Sequence, residues 1–362
     1  MKINIYFLAF AALAFLKISL VVILNVNGTH GLLGGGNDAD YYDAYALGNE
    51  DISLNIWPDI LRSLNEIGIY SRQFVSNILV FISVFIIPLC VAKLAFYKNY
   101  PKKSLFWLIA LYISIYPTIF YYSLDIYRDV FIVVVFLIGL ISVKYFMVTR
   151  GTGKQILFFC LVVLAATILY FLRPYLGFSF IATFIFYNFY SFRKWPLFIS
   201  LTIFLLSINV LFFIGVLDPL FAYRENFSDL DAGSNLSITF DSPSTFLLSF
   251  TKSFIFQIFG LYFSNVSTIF VFIMESLPFA ITLFYLIKNR EFSNKFVDYL
   301  TIFFVVYTTI WLLGNDNLGT AVRLRIYSYI SIFIACAIVF QKKKLVNREK
   351  YLTKVQFSPE AT

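Results

Sequence analysis

The sequence has little of what many enzymes use for acid–base, metal or redox chemistry. It contains one histidine, His30, and three cysteines. A single histidine argues against a catalytic triad built on histidine and excludes a histidine-rich metal site. Cys90, Cys160 and Cys336 fall in three different apolar segments, which predicts packing residues rather than a disulfide framework. We therefore expect no metal and no cofactor.

Charged residues are also scarce. They make up 13% of the chain, whereas 60% of the residues are hydrophobic and 20% aromatic. A soluble domain carries about 25% charged residues. Apolar runs recur from end to end, and at about 20 residues each is long enough to cross a bilayer core as a helix. We predict an all-α polytopic membrane bundle in which residues 1–362 form a single membrane domain.

A phosphate-binding loop is missing as well. The glycine-rich stretch GLLGGGND has no Gly-Lys-Ser/Thr and precedes no strand, which excludes a nucleotide-binding fold of that type. The net charge of +8 is explained by short basic connectors, so no nucleic acid partner is expected. No period of 20–50 residues repeats, which argues weakly against an inverted-repeat transporter.

The hydropathy pattern predicts ten spans, and the first apolar segment is retained as a span because it lacks a convincing cleavage site. Residues 246–263 favour a re-entrant or interfacial helix over a further span, because Lys252 and Gln257 interrupt them. The predicted spans are 4–24, 73–97, 104–122, 129–149, 156–172, 176–191, 196–217, 267–287, 297–314 and 322–341.

The distribution of lysine predicts the orientation. Most lysines lie in alternate connectors or near the termini, and cytoplasmic loops carry an excess of Lys and Arg. This places both termini and the tail 342–362 in the cytoplasm. Loops 25–72 and 218–266 then lie on the outer side. The basic connectors are 97–103, 150–154, 192–195, 288–295 and 341–350.

The outer side carries arginine almost without lysine. Its one lysine is Lys252, and its arginines are Arg62, Arg72, Arg128, Arg173, Arg224, Arg323 and Arg325. A guanidinium matches phosphate bidentately and is weakly hydrated, unlike an ammonium. Ionisable groups at membrane depth are costly and mark functional paths. The alternative is that these arginines only pair with the outer acids, as the sequence Asp125-Ile-Tyr-Arg128-Asp129 allows.

The first outer loop is acidic and aromatic. Residues 36–57, GNDADYYDAYALGNEDISLNIW, follow the first apolar run. Tyr41, Tyr42, Tyr45 and Trp57 either stack on sugar faces or belong to an interfacial aromatic belt. The charged residues Lys17 and Glu275 lie inside predicted helices, where they either pair with each other or leave Glu275 to line a cavity.

Two resemblances follow from these segments. The loop DADYYDAYALG resembles the first outer loop of GT-C membrane glycosyltransferases, in which an aspartate works on a polyprenyl-linked sugar donor. More closely, arginine-bearing turns over most of the chain resemble Wzy-type O-antigen or capsule repeat-unit polymerases. These segments are WPDILRSLNEIGIYSR, YYSLDIYRDVF, FLRPYLGF, ESLPFA and NDNLGTAVRLRIYSY.

The closer resemblance implies polymerisation of undecaprenyl-pyrophosphate-linked oligosaccharides at the periplasmic face of the bacterial inner membrane. It also implies that the partners are this lipid-linked oligosaccharide, membrane lipid and a chain-length regulator protein. The growing chain would leave its lipid pyrophosphate and be joined to a hydroxyl of the next unit.

The residue types suit that reaction. Preorganised arginines stabilise a leaving pyrophosphate without a metal, and a carboxylate base accepts the proton of a sugar hydroxyl. For the first role we predict Arg128, Arg173, Arg323 and Arg325, converging on a polar outer cavity. For the base we predict Asp38 or Asp40, followed by Asp129 and Asp316. The predicted substrate-binding residues are Tyr41, Tyr42, Tyr45, Trp57, Arg62 and Arg72.

Two alternatives stay open. A GT-C transferase using a polyprenyl-monophosphate sugar would be favoured by a divalent metal bound at Asp38 and Asp40. A flippase or transporter would carry cations along a path through both leaflets, whereas these arginines concentrate at one face.

Overall fold

A computed structural model describes residues 4–27, 36–96, 100, 103–228, 235–263 and 265–356, and His30 lies outside these ranges. Most of the described residues are helical, and the only β-type pairing among them is one isolated bridge between Asn235 and Asn317. The predicted all-α polytopic bundle is confirmed.

The helices are labelled in chain order. They are α1 Ile5–Val26, α2 Asn37–Ala46, α3 Ile56–Glu66, α4 Arg72–Ala95, α5 Ser104–Ile115, α6 Pro117–Tyr121, α7 Arg128–Val148, α8 Thr152–Leu172, α9 Pro174–Phe186, α10 Leu197–Phe213, α11 Asp218–Ser228, α12 Pro243–Ile258, α13 Val266–Lys288, α14 Lys295–Gly314 and α15 Leu318–Gln356.

Length and composition mark this chain as a multi-pass membrane protein. Among the described residues, seven helices are long and apolar enough to cross a membrane, and the bent pair α10 and α11 makes an eighth if it is one span. The shorter apolar helices α5 and α9 account for the two other predicted spans. All ten predicted spans therefore fall on helices, while the choice of membrane and the orientation stay predictions.

Prolines explain the irregular turns inside the spans. Helices α4 and α13 each contain a π-helical turn, at Ile82–Ile86 and Phe272–Ser276. Pro88 and Pro278 follow these turns. A proline inside a helix lacks the N–H and collides with the carbonyl four residues earlier, which here belongs to the wider turn. The wider turn therefore relieves the collision and keeps each helix continuous.

Side-chain contacts sort the helix ends into two levels. At one level, Lys144 Nζ donates to the Leu94 carbonyl at 2.7 Å and Gln341 Nε2 donates to the Ala95 carbonyl at 2.8 Å. The basic connectors 192–195, 288–295 and 341–350 contact one another, as Arg290 Nη1 donates to the Trp195 carbonyl and Lys342 Nζ donates to the Ser293 carbonyl. The opposite end gathers the starts of α4, α7, α9 and α15 with α2, α3 and the ends of α8 and α14. This sorting agrees with the predicted alternation of spans.

Helix α12 covers most of the segment predicted to be re-entrant or interfacial. It is 16 residues long and is not among the candidate spans. Its buried residue Gln257 donates from Nε2 to the Asn315 carbonyl at 3.0 Å, and Ser253 donates to the Leu312 carbonyl at 3.3 Å. The polar residues of α12 therefore fasten it to the end of α14, whereas Lys252 is exposed.

The corner between α8 and α9 is fixed by local sequence. Arg173 is extended, with φ −159° and ψ 95°, as expected for a residue before proline. Pro174 then begins α9 at the helix position that proline favours. A Cβ on Gly177 would lie 2.3 Å from the Tyr170 backbone nitrogen, so the two helices approach more closely than any larger residue allows. This close approach holds Arg173 at the corner.

We expect Gly177→Ala to lower stability, because the atoms it would strike belong to the backbone and cannot rotate away. Overpacking of this kind costs about 1–3 kcal/mol. The measurement is the thermal unfolding temperature of the purified protein in detergent. The control is Gly153→Ala in α8, where an added Cβ meets no atom within 4 Å. Equal unfolding temperatures for the two variants would contradict the close approach.

The orientation leads to a second prediction. In a variant without Cys90, Cys160 and Cys336, a cysteine at Ser53 should react with a membrane-impermeant maleimide in intact spheroplasts. A cysteine at Gly151 should react only after permeabilisation, because the positive-inside rule places its connector in the cytoplasm. If the cysteine at Gly151 reacted in intact spheroplasts and the cysteine at Ser53 only after permeabilisation, the predicted orientation would be wrong.

Candidate functional site

One buried carboxylate organises the arginine-rich end of the bundle. Asp129, in the first turn of α7, is 1% exposed. Its Oδ1 accepts a hydrogen bond from Arg173 Nη2 at 3.0 Å. Its Oδ2 accepts two from Arg323, from Nε at 3.0 Å and from Nη2 at 2.7 Å. A buried carboxylate requires such partners, and the helix N-terminus adds a favourable dipole.

Arg323, near the start of α15, connects three parts of the chain. Its Nη1 donates to Asp38 Oδ2 at 2.7 Å, in the first turn of α2. Its guanidinium also lies over the rings of Tyr122, at 5.0 Å, and Tyr127, at 5.6 Å. Cation–π contacts of this kind add to the ion pairs. Arg323 is therefore held by contacts with α2, α7 and the turn before α7.

Arg128 differs from its neighbours because it makes no ion pair with any carboxylate that the structure describes. Its Nη1 donates to the Leu172 carbonyl at 2.9 Å, at the end of α8. The last carbonyls of a helix lack partners within it and attract cations. Arg128 thus lies beside Asp129 without being neutralised by it.

We name Arg128, Asp129, Arg173 and Arg323 the arginine cluster. Three guanidinium groups face two carboxylates, those of Asp129 and Asp38, which leaves one net positive charge.

The arginine cluster also has unused hydrogen-bond donors. Arg173 is 4% exposed, yet its Nε and Nη1 meet no hydrogen-bond acceptor among the described residues. The same holds for Arg128 Nε and for the hydroxyl of Tyr327, whose ring faces Arg173. A buried donor without a partner costs about 1–3 kcal/mol. Unused donors beside a net positive charge are suited to an anion.

Arg128, Arg173 and Arg323 lie together beside Asp129, whereas Arg325 lies apart from them, so the predicted convergence of all four arginines is wrong for Arg325 and the polar outer cavity stays a prediction. Residues two apart on a helix point about 200° apart, so Arg325 and Arg323 lie on different faces of α15. Arg325 Nη2 contacts Glu275 Oε2 at 3.4 Å, and both residues are buried. Glu275 also accepts from the Thr118 backbone N–H at 2.8 Å.

Lys17 does not pair with Glu275. It donates from Nζ to the Ser114 carbonyl at 2.7 Å and lies over the Phe120 ring. Of the two sequence-based interpretations, the Lys17–Glu275 pair is therefore excluded.

Arg72 is held by ion pairs. It binds Asp125 through Nε at 2.9 Å and Nη2 at 2.6 Å, and Asp40 through Nη1 at 2.9 Å. Asp43 accepts from the Tyr70 hydroxyl at 2.6 Å. Burial, followed by this hydrogen bond, raises the pKa of Tyr70 well above its usual value, so Tyr70 acts as a neutral donor. These ion pairs favour the interpretation that Arg72 pairs with acidic residues over the interpretation that it binds substrate.

Asp316 lies in a separate contact set. Its Oδ1 accepts from Arg224, and its Oδ2 accepts from the Ser237 backbone N–H at 2.8 Å. Arg224 also donates from Nη1 to the carbonyls of Leu312, at 3.0 Å, and Asn315. These bonds fasten α11 across the turn between α14 and α15. The structure thus does not bring Asp316 into the arginine cluster.

The tyrosines of α2 have different surroundings. Tyr42 is 3% exposed and lies in the electrostatic field of Arg128 and Arg323. Tyr41 instead donates its hydroxyl to the Ile52 carbonyl. Of these two predicted sugar-binding residues, Tyr42 is the one beside the arginine cluster.

The other predicted aromatic residues hold the first outer loop together. Tyr45 donates to Asp59 Oδ1 at 2.7 Å, and Arg62 lies 5.1 Å over its ring. Trp57 is buried and donates from Nε1 to the Ile126 carbonyl at 2.8 Å. These contacts dock α2 and α3 against the turn that precedes Arg128.

The candidate bases separate by accessibility. Both oxygens of Asp129 are occupied by guanidinium groups, and its side chain is 1% exposed. Asp40 is 65% exposed but is bound to Arg72. Asp38 is 49% exposed and contacts Arg323. Asp38 is therefore the predicted base that both reaches solvent and touches the arginine cluster.

Several neighbours of the cluster were not singled out from the sequence. They are Tyr122, Tyr127, Tyr175, Tyr307 and Tyr327. Their sequence distance from the arginines could have indicated three of them. Tyr127 precedes Arg128, Tyr175 is two residues after Arg173, and Tyr327 is one helical turn after Arg323.

Within the described ranges, no group of three or more His, Cys, Asp and Glu side chains is arranged to hold a metal ion. Asp38 and Asp40 are each bound to a different arginine.

Comparison with known protein families, with curated proteins and with solved structures found no match for this chain. Its function has to be inferred from the chemistry of the arginine cluster.

The cluster itself gives a testable prediction. Asp129→Asn removes the charge that holds Arg173 and Arg323, and breaking a buried pair in this way costs about 3–5 kcal/mol. We expect a clear drop in the thermal unfolding temperature of the purified protein. Asp51→Asn is the matched control, because Asp51 is exposed. If both variants unfold at the wild-type temperature, Asp129 does not organise this end of the bundle.

Proposed function

We propose that this chain is a membrane glycosyltransferase that polymerises undecaprenyl-pyrophosphate-linked oligosaccharide repeat units at the periplasmic face of the inner membrane. The supporting observation is the arginine cluster, with its net positive charge and its unused donors. In this proposal, the wider role is O-antigen or capsule biosynthesis.

The pyrophosphate of the donor lipid would bind at Arg173 and Arg128. Arg173 offers Nε and Nη1, and Arg128 offers Nε, while the other nitrogens that bind Asp129 and Leu172 hold the two side chains in place. A donor already fixed in position stabilises developing charge without reorganising, which is the largest contribution in many enzymes. Arg323 supplies further positive charge from a fixed position.

The transfer step has a simple electron balance. The hydroxyl oxygen of the acceptor sugar attacks the anomeric carbon of the growing chain, and a new C–O bond forms. The bond from that carbon to the pyrophosphate oxygen breaks, and its electron pair leaves on the pyrophosphate. The hydroxyl proton passes to Asp38, which is half-exposed and touches Arg323.

A second candidate is a flippase for the same lipid-linked glycan. The observation in its favour is the buried pair Glu275–Arg325, because ionisable groups inside a membrane bundle mark pathways. The two functions differ in the phenotype of a deletion strain. Loss of a polymerase leaves single repeat units on the outer face, whereas loss of a flippase leaves none there.

The proposed function predicts that Arg128→Lys and Arg173→Lys each shorten the glycan severely, although charge is kept. Lysine offers a point charge without the planar fork. Loss of one fixed donor costs about 3 kcal/mol, or roughly a hundredfold in rate. The measurement is glycan chain length on gels after complementing a deletion strain.

The matched control is Arg150→Lys, at an exposed position in a basic connector. We expect it to support full-length glycan, because any cation serves there. Immunoblots of membrane fractions check that all three variants are present in equal amounts. If both Arg128→Lys and Arg173→Lys gave glycan of full length, these arginines would have only a structural role, and the proposed binding of pyrophosphate would be wrong.

A further inference from the structure

The end of the bundle away from the arginine cluster carries a charged surface that the proposed reaction does not use. It is formed by residues 192–195, 288–298 and 341–344, which contain eight Lys or Arg and two acidic residues and therefore have a net charge of +6. We name the eight cations the basic patch. They are Arg193, Lys194, Lys288, Arg290, Lys295, Lys342, Lys343 and Lys344.

Hydrogen bonds bring the three segments of the basic patch together. Arg290 Nη1, after α13, donates to the Trp195 carbonyl at 2.9 Å, before α10. Lys342 Nζ, on α15, donates to the Ser293 carbonyl at 3.2 Å, before α14. Lys342 also lies in the electrostatic field of Arg193. Cations that are far apart in the sequence are therefore neighbours in space.

Carboxylates do not neutralise this surface. None of the eight cations forms an ion pair with a carboxylate that the structure describes. Of the two acidic residues, Glu291 is exposed, whereas Asp298 is buried and accepts from the Phe192 backbone N–H at 3.0 Å. Lys343 donates to a neutral partner, Asn289 Oδ1, at 2.6 Å. Like charges held this close repel one another, so the patch attracts an anion.

Exposed apolar side chains adjoin the basic patch. Trp195 and Phe198 directly follow the two cations of the first segment, and both are exposed. On α13, Ile281 and Phe284 are exposed and precede Lys288 by seven and four residues, so all three lie along one face of the helix. Tryptophan is enriched where the hydrocarbon of a membrane meets water. The cations thus lie at the end of an apolar surface.

An anionic phospholipid matches this combination. Its phosphate suits Lys and Arg, which are attracted to anionic membrane surfaces, and its acyl chains cover the apolar side chains below. A soluble phosphate or an acidic peptide would use the cations alone, because neither carries a long apolar tail.

We propose that the basic patch binds the headgroup of an anionic phospholipid, with the acyl chains along α13 and the start of α10. The phosphate would then connect α10, α13, α14 and α15 at one end of the bundle. This inference goes beyond the proposed function and does not depend on it, because the arginine cluster lies at the opposite end.

The test uses the full chain purified in detergent. Native mass spectrometry measures its affinity for dioleoyl-phosphatidylglycerol, with dioleoyl-phosphatidylcholine as the neutral reference. We expect wild type to prefer phosphatidylglycerol by about a hundredfold, which corresponds to about three engaged cations. The double variant Arg193→Gln/Lys194→Gln should weaken this binding by about thirtyfold, since each cation beside an anionic headgroup contributes roughly fivefold.

The matched control is the double variant Arg150→Gln/Lys154→Gln. It removes the same two residue types from exposed positions in the connector 150–154, which no described hydrogen bond or ion pair joins to the basic patch. Its affinity should stay within twofold of wild type. A second variant, Arg193→Lys/Lys194→Arg, keeps both charges and should bind phosphatidylglycerol as wild type does, which a loss of fold or of shape would not allow.

Three results would overturn the inference. Wild type would bind the two lipids equally, the variant Arg193→Gln/Lys194→Gln would keep wild-type affinity, or the control would lose as much affinity as that variant. Competition decides the class of ligand. If sn-glycerol 3-phosphate or a polyglutamate peptide displaces phosphatidylglycerol at equal concentration, the patch binds a soluble anion or an acidic protein, and the lipid site is wrong.

Discussion

The arrangement of the arginine-rich end depends on the carboxylate of Asp129. It binds Arg173 from the corner between two helices and Arg323 from the last helix, and it follows Arg128 in the sequence. Three guanidinium groups at one level of a bundle repel each other strongly where water is scarce. A single anion between them makes the arrangement stable, and it fixes the relative heights of α7, α9 and α15.

The carboxylate of Asp129 does not neutralise the three guanidinium groups around it, so the arginine cluster keeps a net positive charge. Arg173 uses one nitrogen on Asp129 and keeps two unused, and Arg128 is bound only by a helix carbonyl. A further carboxylate beside these donors would add stability, but it would remove the net positive charge on which the proposed function depends. Leaving buried donors unsatisfied lowers stability, and such groups in native structures call for a functional explanation.

The sequence predicts the helices better than it predicts their partners. Hydropathy and the basic connectors locate all ten apolar segments, because burial in lipid requires long apolar runs. The same pattern of spans predicts that Arg128, Asp129, Arg173 and Arg323 lie at one end of the bundle. It fails for Arg325, because the rotation of α15 relative to its neighbours decides whether Glu275 or Asp129 is within reach. The partners of Asp316 and Trp57 likewise depend on tertiary packing that no local pattern encodes.

Helix α15 is held by ion pairs on two of its faces, at Arg323 and at Arg325. The two arginines are two residues apart and point about 200° apart, so their ion pairs hold α15 from nearly opposite sides. Turning the helix about its own axis would break both pairs at once, whereas tilting it would strain them unequally. Over its 39 residues, α15 is therefore fixed in rotation near its arginine-bearing end. At its basic end, the hydrogen bonds from Gln341 to the Ala95 carbonyl and from Lys342 to the Ser293 carbonyl hold the same helix in place.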